Sequence, residues 1–125
     1  MGIEYHVVLL WPDEALASET NAAIIAAVER MDDGFFVDGS PFYVFQNVYP
    51  GGAEADTSVP NVCSEKVRKM SRDFPGVLFR MFASEDVEHT DTIEFFRNGA
   101  SYVTDVIRAL PEFNPDLLAG TNNML

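Results

Sequence analysis

Few residues in this chain have the chemistry to act as catalysts or ligands, and they are widely spaced. There are two histidines, His6 and His89, one cysteine, Cys63, and 20 carboxylates among 125 residues. The densest set of candidate metal ligands is Glu85, Asp86, Glu88, His89, Asp91 and Glu94. Oxygen-rich loops hold hard cations such as calcium or magnesium. One expectation is therefore a metal-dependent or small-molecule enzyme using His6, His89 and the 85–94 acids. Against it, the EF-hand spacing is absent and no glycine stands where a calcium loop would turn. Cys63 could pair with a histidine as a nucleophile only if the fold brought the two together. Yet Cys63, Val67, Met70 and Phe74 recur at helical spacing, and a free cysteine in such a stripe behaves as a small buried hydrophobe. Gly51-Gly52 leads into Ala53, Glu54 and Ala55 with no lysine to reach a phosphate. The residues thus nominate no catalytic group, no resident metal and no cofactor.

Charge is the stronger signal. Eight basic residues against 20 acidic ones leave a net charge of −12. Direct binding to nucleic acid needs clustered lysine and arginine, and docking on an anionic membrane needs the same, so neither is expected. A basic protein partner would be steered toward such a surface. The acids that would meet it fall in three places: Asp32 and Asp33 after a helix, Glu54 and Asp56 in a small-residue stretch, and Glu85, Asp86, Glu88 and Asp91 between two strands. The basic residues are uneven too, since Lys66, Arg68, Lys69 and Arg72 share one face of a single helix. That face reads as solvated, or as paired with carboxylates of the same chain or of a second subunit.

The elements that must position these residues follow from pattern. Tyr5 to Trp11 is an apolar, β-rich run ending at Pro12, an interior strand. Asp13 or Ser18 can begin a helix whose stripe is Leu16, Ala23, Ile24, Ala27, Val28 and Met31, with Asp32-Asp33-Gly34 as its stop. Phe35 to Val37 and Pro41 to Tyr49 read as strands joined by Asp38-Gly39, a pair suited to a type I′ turn. Residues 50–58, rich in glycine, alanine and acids, read as a mobile surface loop. A helix follows from Pro60 to Phe74, then a strand from Val77 to Ala83, an acidic loop over 84–91, and a strand from Thr92 to Arg97. Asn98-Gly99 is a second hairpin signal. Ala100 to Val103 reads as the returning strand, leading into a short helix through Val106, Ile107 and Leu110 that Pro111 stops, and Asn114-Pro115-Asp116 as the start of a final turn before a fraying tail, 121–125.

One domain holds all of this, as expected at this length. Strands interleaved with helices, plus two hairpins, point to an α+β fold with an antiparallel or mixed sheet and helices packed on one face, ferredoxin-like or a decorated variant. Strand aromatics (Phe42, Tyr43, Phe45, Tyr49, Phe95, Phe96) point to both sides. Such a sheet needs a second covering layer or a partner, a homodimer through the aromatic face included. With one cysteine no intrachain disulfide forms, and the start of the chain lacks a basic segment ahead of a long apolar run, so the cytoplasm is the expected compartment.

The stretch from Phe74-Pro75-Gly76-Val77-Leu78-Phe79 to Ile93-Glu94-Phe95-Phe96-Arg97-Asn98-Gly99 resembles the YubB-like group of small ferredoxin-like proteins of phages and mobile elements. The resemblance implies the fold and a phage or mobile-element setting, and carries over no catalytic residue. The expected function is a small acidic inhibitor or immunity-type factor that blocks a basic or nucleic-acid-binding partner. A structural homo-oligomer is a further alternative.

Overall fold

The computed structural model describes residues 4–85, 91–106 and 111–122, apart from the side chains of 35–37 and 119–122. In chain order the elements are β1 (Tyr5–Leu10), α1 (Ser18–Glu29), β2 (Asp32–Val37), β3 (Ser40–Tyr43), β4 (Asn47–Tyr49), β5 (Gly52–Thr57), α2 (Pro60–Ser71), β6 (Phe79–Glu85), β7 (Asp91–Arg97), β8 (Ala100–Asp105) and α3 (Pro115–Asn122). Six strands form one sheet in the order β4-β5-β1-β6-β7-β8, with every neighbouring pair antiparallel. It follows that α1 links two parallel strands, β1 and β4, that flank β5. Likewise α2 links β5 and β6, which flank β1. That is the βαββαβ order of a ferredoxin-like fold. Two decorations are added: the β2–β3 ribbon, inserted between α1 and β4, and the β7–β8 hairpin, which widens the sheet. Among the described residues no helix is long and apolar enough to cross a membrane.

Alternation along the strands sorts the sheet into two faces. Val7, Leu9, Ala53, Ala55, Phe79, Met81 and Phe96 share one face and a single buried cluster with Ile24 and Val28 of α1 and Cys63, Val67 and Met70 of α2. The Cys63 stripe is therefore core packing. On the other face the chain itself supplies a partial second layer. Phe113 packs on Phe95 and Tyr102, with ring centroids 5.7 and 6.3 Å away, and Arg97 caps the Phe113 ring at 4.9 Å. The Tyr102 hydroxyl accepts the Asn114 N–H, and Asn114 in turn caps α3 by accepting from the Asp116 N–H. Phe95 and Ile93 are buried beneath this layer, so the β7–β8 half of the face is closed within the chain. Among the described residues the half formed by β4, β5, β1 and β6 has no such layer, and its outward side chains are half-buried, as at Val8 and Phe82, or exposed, as at His6 and Asp56.

Both two-residue turns take the expected form: Asp38 and Gly39, and Asn98 and Gly99, all have positive φ. The second is clamped to the end of α2. Ser71, fully buried, accepts the Gly99 N–H at 2.8 Å, and Asn98 accepts the Gly76 N–H at 3.2 Å.

Three expectations are corrected. The stretch 50–58 is not a surface loop: Gly52–Thr57 is an inner strand held by β1 and β4, and only Pro50-Gly51 turns. Its alternation, Ala53 and Ala55 in and Glu54 and Asp56 out, outweighs the weak strand propensity of its residues. The run 41–49 is two strands, because Val44 and Phe45 drop into the core and the Val44 N–H bonds to Met31 O, leaving β3 on the ribbon and β4 on the sheet. Asp32 and Asp33 begin β2 rather than stopping α1, which ends earlier at Glu29. The expected return of Ala100–Val103 against β7 is present and runs on to Asp105, and the helix expected through Val106, Ile107 and Leu110 falls mostly outside the described residues. The acidic residues Asp86 and Glu88, His89, and 107–110 and 123–125 lie outside the described residues.

Candidate functional site

The open half of the sheet face carries the only close group of ionisable side chains on either face of β1 and β5 among the described residues. Val7 must face the core, so His6 faces the opposite way. Register places it beside Asp56, with Glu54 one step along β5 on the same face. The His6 Nδ1–H donates to Asp56 Oδ1 at 2.9 Å, while Nε2 lies 3.8 Å from Glu54 Oε1. Across β1, Ser84 is the register partner of His6, and Asp91 that of Ser84, so Asp56, His6, Ser84 and Asp91 form one row across four strands. Both ring nitrogens of His6 turn toward β5 carboxylates, which leaves neither aimed at the Ser84 hydroxyl. The group is about half exposed.

Gln46 fixes β5 from the outside. Its carboxamide accepts the Asp56 N–H at 2.9 Å and donates to Asp56 O at 3.3 Å. It thereby replaces one residue of a neighbouring strand and continues the ladder past the end of β4.

Next to this acidic patch lies an aromatic cleft of about 980 Å³, walled by Phe42 and Tyr43 of the ribbon, Glu29 of α1, and Asn47 and Tyr49 of β4. Phe42 is 50% exposed, Tyr43 56% and Tyr49 38%. Tyr49 joins the two surfaces: its ring lies over Gly52, where a Cβ would come within 2.5 Å of Cε2. Burial, and then the charge of Glu54, push the Tyr49 hydroxyl above its ordinary range.

Of the acids named from sequence, Glu54 and Asp56 come together, around a histidine assigned there to a different reading. Asp91 lies on the same face, two strands from His6. Glu85 is at the same end of the sheet but shares a face with Tyr5. Asp32 and Asp33 belong to the separate ribbon. Cys63 and His6 lie on opposite sides of the sheet, and burial pushes the Cys63 thiol up to about 11, so the two do not form a nucleophile pair. Among the described residues no three His, Cys, Asp or Glu side chains converge as metal ligands. On the basic helix, Lys69 pairs with Glu65 at 3.2 Å, an exposed i,i+4 contact of small energetic weight.

The Tyr49–Glu54 junction was missed from sequence because β5 was. The alternation of Ala53, Glu54, Ala55 and Asp56 was the signal that could have found it. No family model matches the chain, and no curated protein and no solved structure matches it significantly.

Proposed function

We propose that this chain is a small acidic binding protein that captures a basic partner, as an inhibitor or immunity-type factor does when it masks a basic or nucleic-acid-binding surface. The observation that carries it is the uncovered half of the sheet. There Glu54 and Asp56 stand around His6, and the one lysine or arginine of β1, β4, β5 and β6, Arg80, sits four residues along β6 from the row of His6, beside Phe95 and Phe113. The aromatic half of the same face is closed by Phe113 and α3, so the sheet presents the half that carries His6, Glu54 and Asp56, with Val8, Leu10 and Phe82 half-buried beside them. A rigid strand scaffold holds these carboxylates in place, and ordered charge steers a basic partner and fixes its register. Tyr43, Tyr49 and Phe42 at the rim supply the aromatic anchors common at protein interfaces.

The test compares the native chain with the Glu54→Gln/Asp56→Asn double variant as bait in extract from the source cell. Expected is a protein with a basic surface that the native bait retains and the variant releases, and whose nucleic-acid binding the native chain blocks. Equal retention by both baits, or retained proteins without basic surfaces, would overturn the proposal.

A further inference from the structure

We infer that the cleft beside β4 takes an extended, arginine- or lysine-bearing segment of a partner protein, added as a further strand on the β4 edge. This rests on the proposed capture of a basic partner and names how part of that partner is held. β4 stands at the end of the strand order, with β5 its one neighbour in the sheet. Such an edge offers backbone donors and acceptors to another chain. Neither lysine nor proline occurs in Asn47-Val48-Tyr49 to blunt it. The cleft runs along this edge and, at about 980 Å³, lies at the upper end of the range of ligand sites.

The lining selects the occupant. It contains a carboxylate, Glu29, and three exposed or part-exposed aromatic rings, and no basic residue. Glu54 stands close enough to Tyr49 to raise its hydroxyl. Aromatic faces attract cations, and the stems of arginine and lysine lie along apolar surface while their heads stay wet. An arginine laid on Tyr43 or Tyr49 therefore has a carboxylate within the same cleft. A second copy of the chain would bring −12 against −12, which disfavours a β4–β4 dimer. Three residues of edge span only about 10 Å, so the aromatic contacts must share the work with the few ladder bonds.

The experiment is an amide-shift titration of the full chain with a ten-residue peptide alternating arginine and threonine. Two further peptides are used: the same sequence with alternate backbone nitrogens methylated, and one with glutamate in place of arginine. Expected are shifts concentrated at residues 42–49, at least tenfold weaker binding of the methylated peptide because ladder bonds are blocked, and none by the glutamate peptide. Tyr43→Ala and Glu29→Gln, both at exposed positions, should weaken binding about three- to tenfold. Equal affinity of the methylated peptide, with shifts at 6, 54 and 56 instead, overturns edge addition while leaving capture by the sheet face intact. Failure of the arginine peptide to bind, where a basic partner protein does bind, also overturns it. So does concentration-dependent self-pairing at 47–49 without peptide, which makes a second copy the occupant.

Discussion

Replacing Ser71 with alanine is a sharp probe of how the decorated half of the fold is attached. Ser71 is fully buried, and its hydroxyl both accepts the Gly99 N–H at 2.8 Å and donates to Arg68 O at 2.7 Å. Alanine leaves the Gly99 amide buried without an acceptor, a loss of about 1–3 kcal/mol. Alanine is also the better helix former, by about 0.5 kcal/mol, so a net loss of about 1–2 kcal/mol is expected. For a domain of this length, 1 kcal/mol corresponds to about 4 °C in Tm, which puts the drop at about 4–8 °C. Thermal and urea unfolding, followed by Trp11 fluorescence, measure the loss. Hydrogen exchange at the Gly99 amide locates it, because opening of the hairpin tip should be selective. Ser64→Ala on the same helix is the control for helix propensity and should be neutral or slightly stabilising. A Ser71→Ala chain with unchanged Tm and a Gly99 amide still protected would refute the clamp.

Three further outcomes follow from the same packing. The Cys63 thiol should resist labelling in the folded chain and react on unfolding. Its raised value, about 11 against an ordinary 9.0, keeps the folded thiol neutral while the unfolded one ionises. Stability is then fully present below about pH 9 and falls by about 2–3 kcal/mol as pH rises to 11; Cys63→Ala should flatten this slope. Glu54→Gln should lower the pH at which Tyr49 ionises in an ultraviolet titration, yet only part of the way to its ordinary range, since burial contributes more than the charge; no change would contradict the placement of Glu54 beside that ring. Phe113→Ala should cost about 2–4 kcal/mol and expose Phe95 and Tyr102, raising binding of an apolar dye. Unchanged dye binding would mean that this face is closed by other groups.

Several elements were readable because local chemistry and tertiary context agree. The Asp38-Gly39 and Asn98-Gly99 turns need positive φ, and the core demands the Cys63-Val67-Met70 stripe. β5 was hidden because alanine, glycine and acids are poor strand formers, and only the neighbours on both sides make Gly52–Thr57 a strand. β8 was legible in its first residues, because the Asn98-Gly99 turn folds Ala100–Val103 back against β7. The site depended on the hidden strand. His6 and Asp56 are 50 positions apart, and nothing local joins them; their contact exists only in the β1–β5 register. The acidic excess was visible at once, but which acids share a surface was not.

The central claim is capture of a basic partner by the open acidic sheet face, and calorimetric titration of the retained partner at rising salt tests it most directly. Affinity should fall at least tenfold between about 50 and 300 mM salt as the exposed charges are screened, and the Glu54→Gln/Asp56→Asn variant should bind weakly at both concentrations. An affinity that ignores both the salt and the two substitutions would contradict the account.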